Sequence, residues 1–562
     1  MSHPSGPTRS RLRVGLLIDS FVQPRWRYKL IEDIKSSSIA EIVLVVENEA
    51  FANQKESPLI RKIWEKSNSL LYEAYSHLDD LIFEVEPDAF EDMDAAPLLR
   101  DCPVIRVNPT MKKYSDYFPD KDVEAILALD LDVALRFGFR ILKGSVLQIA
   151  KHGVWSYHHG DNLVNRGIPP GFWEVMNDEP VTGSILQSLT EDLDNGKVIY
   201  RSWSPTINRF SVKTNNNNYY WKSSTFVMRK LKELYELNGE TPGEKQGEQL
   251  YRPYYNRLYK VPTNIEMLPL LLRLGGKAVS RLREKLWSFD QWFLAYQIKS
   301  SPTDANNVFY RFKNLVPPKD RFWADPFPVK VGDRYFIFVE ELIYKRGKAH
   351  ISVIEIDKQG VVKDPVKVLE RDYHLSYPFI LEWQGEYYMI PETADNKTVE
   401  LYRCVSFPSE WKLEKVLLES DNPTDATFTE IDGLWWMFVT IGASGVSKNW
   451  DELYLFYSDS PLGPWRPHRR NPVKSDVRCS RSAGRLFHVN GDLYRPAQNC
   501  SKHYGYGMSI NRVVQLTPDE FYEEEVSKIL PEWNRRIIGT HTLNSYDDIT
   551  VIDCLMKRRR FF

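Results

Sequence analysis

Cysteine is scarce in this sequence, and long apolar runs are missing from it. Five cysteines are scattered over 562 residues without a CxxC pair, an odd and sparse set that excludes a disulfide framework and indicates reduced thiols. The apolar run at 14–18 is too short for a signal-peptide core, and no run is long enough to cross a bilayer. The sequence therefore predicts a cytoplasmic protein without a transmembrane segment.

An excess of charge of one sign is also missing. The 74 Lys and Arg residues nearly balance the 76 Asp and Glu residues, and the net charge of -2 gives no reason to expect nucleic acid as a partner. We expect the basic cluster at 557–560 to be a solvated tail, because it is short and isolated. The length exceeds that of one ordinary core and predicts two or three domains.

Apolar strand patterns alternate with amphipathic helix patterns in the first part of the chain. Strand patterns occur at 13–18, 42–46 and 133–137, and a helix pattern lies at 26–36. This alternation is typical of a mostly parallel sheet wrapped by helices. We therefore predict an α/β domain over residues 11–205.

The pattern changes between residues 206 and 304, where we predict a helical connector. The polar run at 215–218 predicts a loop, and helix patterns follow at 224–237 and 267–296. The stretch 268–287 is amphipathic and basic. It is typical either of a helix that packs against the rest of the protein or of one that contacts a membrane surface.

From residue 305 onward, helix patterns nearly vanish and a repeat of short aromatic strands appears. Each unit opens with a short strand, and a Gly or Asp-Gly turn leads to an aromatic strand in most units, as hairpins require. The five openings are Asp325-Pro326-Phe327, Tyr377-Pro378-Phe379, 425–428, 482–485 and 540–543. A repeat of this period predicts an all-β five-bladed propeller over residues 305–562, with 308–312 as the closing strand.

Several ordered motifs lie within residues 131–199. They are Gly138-Phe139 followed by Arg140-Ile141-Leu142, a turn at Gly153 before a strand with His158, the Arg166-Gly167 loop, Thr182-Gly183 before a strand, and the sequence EDLDNG at 191–196. In this order and spacing they resemble the folate-dependent formyltransferases, which include glycinamide ribonucleotide, methionyl-tRNA and sugar-nucleotide N-formyltransferases. The resemblance implies a Rossmann-type sheet and formyl-tetrahydrofolate as co-substrate.

The resemblance also implies catalytic residues. The family uses Asn-x-His on a strand, with both side chains on one face, and an Asp from a nearby loop. His158 matches the histidine, which donates to the oxyanion or relays a proton, and Asp194 matches the aspartate that orients it. Ser156 stands at the asparagine position, and losing an oxyanion donor costs about 3 kcal/mol. Either a neighbour such as His159 or Asn162 substitutes for the asparagine, or the reaction has changed.

Other residues of these motifs are candidates for binding substrate or cofactor. The segment 166–173 is typical of a rigid aromatic substrate loop, or of ordinary Pro/Gly loop packing. A metal cluster of His152, His158, His159 and Asp161 fits no standard zinc spacing, so we predict no metal site. The binding candidates are His159, Asp161, Asn162, Arg166, Gly138, Trp173 and Thr182.

The motif Trp323-Ala324-Asp325-Pro326 resembles the first-blade motif of five-bladed glycosidases. It is also similar to the propeller domain of plant glucosamine inositolphosphorylceramide transferases. Blade starts converge on a central funnel, which predicts a cluster of Asp325, Glu341, Tyr377, Glu392, Asp425, Arg481 and His541. If this site is catalytic, Asp325 is the base and Glu392 or Glu341 the acid, as glycoside hydrolysis requires. Otherwise the carboxylates cap turns or pair with arginines.

These features together predict a carbohydrate-modifying enzyme. The first domain is expected to transfer a formyl group to an amino sugar or sugar nucleotide, while the propeller binds the glycan. One alternative makes the propeller a glycoside hydrolase or glycan transferase, with an inactive or repurposed first domain. Another makes the whole chain a non-catalytic glycan-binding or assembly protein.

Overall fold

The protein consists of two compact units. The computed structural model describes residues 10–52, 67–191, 196–238, 254, 256–298, 309–357, 360–442 and 450–560. Contacts divide the chain into a first unit, 1–273, and a second unit, 274–562, and the division falls inside a long helix. Within the described ranges, no helix is long and apolar enough to cross a membrane.

A seven-stranded mixed sheet forms the centre of the first unit. Its strand order is β13-β12-β10-β8-β1-β3-β5. The strands β10, β8, β1, β3 and β5 run parallel, and β12 runs antiparallel to both of its neighbours, β10 and β13. The predicted mostly parallel sheet is thus present. The strands of the unit are β1 Leu12–Ile18, β2 Val22–Pro24, β3 Ala40–Asn48, β4 Asp92–Asp94, β5 Val104–Val107, β6 Thr110–Met111, β7 Ser115–Tyr117, β8 Val133–Arg136, β9 Ile141–Leu142, β10 Val154–His158, β11 Arg166–Gly167, β12 Val181–Ser188, β13 Lys197–Pro205 and β14 Leu258–Tyr259.

Helices cover both faces of this sheet because β1 is apolar on both sides. Val14 and Leu16 pack against α1 and α8 on one face, and Leu17 packs with Ile126 of α5 on the other. This is the two-sided burial expected of a parallel sheet. The described helices are α1 Arg25–Ser36, α2 Glu49–Ala52, α3 Leu70–Ile82, α4 Ala96–Leu99, α5 Asp120–Leu127, α6 Phe172–Met176, α7 Val212–Ser223, α8 Phe226–Glu236 and α9 Asn264–Trp287.

The polar run at 215–218 lies in helix α7, so the predicted loop is wrong. Ser211 caps this helix by accepting a hydrogen bond from the Thr214 N–H at 3.0 Å. Asn215 and Asn217 are buried and bond to Thr182 and to the backbone of Ala89. Tertiary hydrogen bonds therefore override the low helix propensity of asparagine here.

Gly138 lies where the chain after β8 passes close to the end of β1. A Cβ at this position would lie 2.3 Å from the Asp19 nitrogen and 2.5 Å from the Ile18 carbonyl carbon. Because backbone atoms give way with difficulty, we expect Gly138→Ala to lower the free energy of unfolding by about 1–3 kcal/mol. Urea unfolding checks this, with Gly275→Ala as control, since a Cβ there meets no described atom within 4 Å. Equal effects of the two substitutions would contradict the close approach.

The second unit is built from five antiparallel sheets in its described part. Four follow one another along the chain, as β17–β20, β21–β24, β25–β29 and β30–β33, and the fifth joins β15 and β16 to β34–β36. The strands are β15 Ser288–Ile298, β16 Lys313–Leu315, β17 Arg321–Val331, β18 Arg334–Ile343, β19 Ala349–Ile356, β20 Val366–Leu369, β21 Ser376–Trp383, β22 Glu386–Thr393, β23 Thr398–Ser406, β24 Glu410–Glu419, β25 Thr424–Ile431, β26 Leu434–Thr440, β27 Glu452–Ser458, β28 Arg466–Pro467, β29 Lys474–Ser475, β30 Phe487–Val489, β31 Asp492–Asn499, β32 Gly507–Leu516, β33 Phe521–Ile529, β34 Ile537–Gly539, β35 Leu543–Tyr546 and β36 Ile549–Arg559.

The fifth sheet pairs the start of the second unit with its end. β15 runs antiparallel to β36 over its full length, from Ser288 opposite Arg559 to Ile298 opposite Ile549. The helix predicted at 267–296 therefore ends at Trp287, and the next residues form a strand. Residues 291–296 are all buried, and their strand lies between β16 and β36 in the sheet. An amphipathic helix would leave one of its sides exposed to solvent. Of the closing strand predicted at 308–312, residues 309–312 are described, and Phe309–Arg311 form a single 3-10 turn instead.

Candidate functional site

A cavity of about 200 Å³ lies at the carboxyl ends of β1, β8 and β10 in the first unit. The chain order of the strands reverses between β1 and β8, which is where α/β sheets bind ligands. Its wall combines aromatic rings with polar and charged side chains. The lining residues are Asp19, Trp26, Arg27, Arg136, Phe137, Gly138, Phe139, Ser156, Tyr157 and His159.

Ser156 is held at this cavity by a guanidinium group. Its Oγ accepts a hydrogen bond from Arg136 Nη1 at 3.1 Å, and Arg136 Nε donates to the Gly138 carbonyl at 3.3 Å. Ser156 is buried. Where the formyltransferases that the motif resembles carry asparagine, this chain therefore has a hydroxyl beside a cation.

Arg27 adds a second cation to the same cavity. Its Nη1 donates to the Phe137 carbonyl at 2.5 Å, and its guanidinium lies 5.1 Å from the ring centroid of Trp26. Nε is buried and has no hydrogen-bond partner among the described residues. Burial lowers the pKa of Arg27 to about 10, which still leaves it charged at neutral pH. The cavity therefore favours an anionic ligand.

The two histidines that follow Ser156 face different surroundings. His158 lines a smaller neighbouring cavity with Arg166 and Trp173, and its Nε2 lies 3.3 Å from the Asn165 carbonyl oxygen. His159 lines both cavities and stacks on Tyr220 at a centroid distance of 3.6 Å. Burial lowers the pKa of His159 well below its usual value, so this ring is neutral.

Three of the predicted binding residues, Asp161, Asn162 and Thr182, form hydrogen bonds with other side chains of the protein. Asp161 accepts from Arg201 Nη1 at 2.6 Å and from Trp203 Nε1 at 2.9 Å, and Asn162 Oδ1 accepts from Arg201 Nη2 at 2.8 Å. Thr182 lies fully buried, 2.9 Å from the Thr206 hydroxyl.

The cavity gathers only part of the predicted site. Gly138, Ser156 and His159 line it, His158 and Trp173 lie at the neighbouring cavity, and Asp194 lies outside the described residues. Sequence analysis missed Asp19, Arg27 and Arg136. Asp19 and Arg136 could have been found from their positions at the ends of β1 and β8, whereas Arg27 lies on α1 and carries no comparable signal.

In the second unit, the first strands of three sheets each contain a residue other than glycine with a positive φ. Asp325, Tyr377 and Asp425 sit on β17, β21 and β25 with φ values of 49°, 43° and 51°. Each lies at a register shift between its strand and the next. Positive φ is costly for side chains other than glycine, so its recurrence at equivalent places indicates a constraint imposed by the surrounding structure.

Asp325 belongs to a fully buried polar cluster with Thr542, His541 and Asp553. Asp325 Oδ1 accepts from Thr542 Oγ1 at 2.6 Å, and His541 Nδ1 lies 2.5 Å from Asp553 Oδ2. Trp292 stacks on the His541 ring at 4.0 Å. One group of side chains in the described part of the chain could hold a metal ion. It consists of Asp325, His541 and Asp553, whose ligand atoms all lie within 4.8 Å of one another.

The charges in this cluster shift its titration. Burial raises the pKa of Asp325 to about 7. Burial alone would lower the pKa of His541, but the carboxylates of Asp553 and Asp325 outweigh it and raise that pKa to about 9. At neutral pH the imidazole is therefore protonated and paired.

A second buried group lies around Arg481. Its Nε donates to Asp425 Oδ2 at 2.6 Å, and its Nη2 donates to Glu392 Oε2 at 3.1 Å. Gln498 Nε2 also donates to Asp425 Oδ2, at 2.8 Å. Burial and the adjacent Asp425 carboxylate raise the pKa of Glu392 well above its usual value. Glu392 is thus a candidate proton donor whose side chain remains 13% exposed.

Tyr377 and Glu341 have separate partners. The Tyr377 hydroxyl lies 2.8 Å from Thr427 Oγ1 and accepts from the Gly484 N–H at 2.8 Å. Burial alone would raise the pKa of Glu341, but hydrogen bonds from His350, Ser352, Trp323 and Arg321 lower it to about 2. Glu341 is therefore ionised. Its neighbour Glu340, which sequence analysis missed, pairs with His374 at 3.0 Å.

The Asp325–His541 cluster predicts a pH-dependent stability. Both groups bind protons more tightly in the folded state. The pKa of Asp325 is about 7 against an unperturbed value of 3.8, and that of His541 is about 9 against 6.5. Stability from His541 is therefore fully present below pH 6.5 and lost as pH rises through about 9. We expect the free energy of unfolding to fall by roughly 3 kcal/mol across this window.

Urea unfolding at several pH values checks this expectation. His541→Gln should flatten the pH dependence, and the same change at the exposed His488 should leave it intact. A wild-type protein whose stability does not change between pH 6.5 and pH 9.5 would contradict the raised pKa of His541.

Comparison with known proteins links the second unit to a plant transferase. Residues 312–544 match the family described as "Glucosamine inositolphosphorylceramide transferase 1, N-terminal". The chain is 40% identical over 225 residues to glucosamine inositolphosphorylceramide transferase 1 of rice (Oryza sativa subsp. japonica), covering 38% of this chain and 30% of that protein. The Arabidopsis thaliana protein of the same name is 35% identical over 218 residues, 38% of this chain and 28% of that protein. The chain thus spans about a third of the length of these relatives.

Two solved structures also resemble parts of the chain. The family 117 glycoside hydrolase Zg3597 of Zobellia galactanivorans has a TM-score of 0.31 and 17% identity, over 47% of this chain and 90% of its own. Glycinamide ribonucleotide transformylase 1 of Symbiobacterium toebii has a TM-score of 0.29 and 11% identity, over 42% of this chain and 92% of its own.

The predicted resemblance to formyltransferases is supported by similarity to a bacterial enzyme. Methionyl-tRNA formyltransferase of Prochlorococcus marinus (strain NATL2A) is 30% identical over 115 residues, which cover 20% of this chain and 34% of that protein. The hybrid resemblance predicted from the sequence is therefore confirmed: the chain is similar to methionyl-tRNA formyltransferases and, over 312–544, to the N-terminal family of plant glucosamine inositolphosphorylceramide transferases.

Proposed function

We propose that the chain is a carbohydrate-modifying transferase whose first unit moves a formyl group from formyl-tetrahydrofolate to the amine of an amino sugar or sugar nucleotide. The amine nitrogen forms a bond to the formyl carbon, the bond from that carbon to the folate nitrogen breaks, and the amine proton ends on the folate nitrogen. The carrying observation is the cavity at the ends of β1, β8 and β10, with Ser156 and Arg136 on its wall. We place the reaction in the cytoplasm, which five buried, unpaired cysteines support.

The size and lining of this cavity support binding of the reacting end of the folate. A volume of about 200 Å³ is below the 300–1,000 Å³ of pockets that enclose whole ligands, so it would hold the formyl-bearing end alone. Ser156 and Arg136 would donate to the oxyanion in place of the family's asparagine. His158, at the end of β10, would relay the proton, with Asp194 as its proposed partner.

The nature of the acceptor follows from charge and from the second unit. Arg27 has a buried nitrogen without a partner in the described part, which favours an acceptor with a phosphate, such as a sugar nucleotide. The plant relatives are named for glucosamine, an amino sugar. We propose that the five sheets of the second unit are blades of a closed propeller that binds the glycan near Glu392 and Arg481.

Mass spectrometry of the acceptor tests formyl transfer directly. The protein is incubated with formyl-tetrahydrofolate and a panel of amino-sugar nucleotides, with N-acetylated counterparts as controls because their nitrogen is blocked. An N-formyl product from the free amines alone supports the proposal. No product from any amine, with folate left unconsumed, contradicts it.

A second candidate function places the chemistry in the second unit. It is favoured by one observation, the raised pKa values of Asp325 and Glu392, since a carboxyl that holds its proton near neutral pH can act as a general acid. Here the second unit would cleave or transfer glycosyl groups while the first unit is repurposed. Glycan turnover abolished by Glu392→Gln, without folate, would support it. Binding without turnover would point to a glycan-binding protein.

A further inference from the structure

Helix α9 exposes a stripe of large apolar side chains. Ile265, Leu268, Leu272, Val279, Leu282, Leu286 and Trp287 are 57% to 86% exposed. With 3.6 residues per turn, these positions fall on one broad side of the helix. A continuous apolar stripe of this length is uncommon on a surface that meets only water, and it marks a contact with something else.

The other side of α9 carries a row of cations. Arg273, Lys277, Arg281 and Lys285 follow one another at intervals of four residues, so they form a second stripe along the helix. The helix also contains Arg283 but only the acidic residues Glu266 and Glu284. Its polar side is therefore strongly positive, and its partner should be negatively charged.

The middle of the helix is open in the described part of the chain. A Cβ built on Gly275 or Gly276 meets no described atom within 4 Å. At the two ends of the helix, Asn264 Oδ1 accepts from the Leu71 N–H at 2.9 Å and Glu284 pairs with Lys557. Met267 is the buried member among the described side chains of α9. Nothing described therefore covers the apolar stripe.

We infer that α9 binds the surface of an anionic membrane. The helix would lie in the plane of the interface, with its apolar stripe at the boundary between headgroups and acyl chains and its lysines and arginines near lipid phosphates. Trp287, at the end of the stripe, is of a type that favours this boundary. Five cations in 24 residues make the helix unsuited to spanning the bilayer. This inference stands independently of the proposed formyl transfer.

Vesicle cosedimentation of the full chain tests the inference. The probes are vesicles of phosphatidylcholine alone and of phosphatidylcholine with phosphatidylserine. Variants are Leu272→Gln combined with Leu282→Gln on the apolar stripe, and Ala278→Gln, an exposed position near the cations, as the matched control. Thermal unfolding checks that both variants fold, which we expect because the changed side chains are exposed.

We expect wild type and Ala278→Gln to sediment with the mixed vesicles and far less with phosphatidylcholine alone. The double leucine variant should bind the mixed vesicles at least about tenfold more weakly. Two leucine side chains no longer move from water into the lipid interface on binding, so their hydrophobic contribution is lost. Failure of wild type to bind mixed vesicles would overturn the inference, as would unchanged binding by the double variant. A wild-type dimer that the double variant converts to a monomer would instead show that a second copy covers the stripe.

Discussion

Replacing Arg481 with methionine is expected to lower the free energy of unfolding by about 3–5 kcal/mol. Arg481 is buried between Asp425 and Glu392, at 2.6 Å and 3.1 Å from their oxygens. Without the guanidinium, Asp425 keeps the hydrogen bond from Gln498, but its buried carboxylate loses its cation, and Glu392 loses the hydrogen bond from Arg481. The loss thus measures the cost of an uncompensated buried charge. Urea unfolding followed by tryptophan fluorescence reports it, since most tryptophans lie in the second unit.

Arg478→Met provides the matched control for this measurement. Arg478 pairs with Asp476 at 2.7 Å, but its side chain is 43% exposed. An exposed ion pair contributes at most about 1 kcal/mol, so the same substitution three residues away should be nearly neutral. If the two variants lose equal stability, Arg481 does not hold the buried carboxylates in the way described.

Replacing His158 with alanine is expected to lower the rate of formyl transfer at least about a hundredfold, because a positioned acid–base group contributes this much. β10 ends at His158, two residues after Ser156, so both side chains lie on the same side of the strand. We expect folate binding to change little, since the loss falls on kcat. The pH profile should lose the limb that His158 contributes, which a merely structural role would not produce.

His77→Ala is the control for the histidine substitution, since His77 is exposed on α3. Its rate should match that of wild type. A His158→Ala protein that retains full activity and an unchanged pH profile would remove His158 from the mechanism. In that case His159, which lines both cavities, becomes the candidate to test.

The sequence predicted the elements whose signal is local. The apolar run ending at Ile18 and the repeated openings at Asp325, Tyr377 and Asp425 each lie on a strand of the structure. The predictions that were wrong concern residues whose structure depends on partners distant in the sequence. Residues 288–298 form a strand because they pair with β36 at 549–559, and no local periodicity reports a partner so distant in the sequence.

The candidate site shows the same division between local and distant information. Ser156 and His158 were recognised because a short motif carries them. Arg27 and Arg136 were missed because they meet only when α1 and the end of β8 come together in the fold, and their guanidinium groups lack a motif of their own. The polar run at 215–218 predicts a loop, because the hydrogen bond from Asn215 to Thr182 that helps bury it in a helix joins residues distant in the sequence.

The most direct test of the central claim is calorimetric titration of a stable folate analogue into the wild-type protein. The cavity at the ends of β1, β8 and β10 predicts a single site with micromolar affinity. That result supports folate-dependent transfer with Ser156 in the position of the asparagine. No detectable heat of binding at millimolar folate would contradict the account and direct attention to Asp325 and Glu392 in the second unit.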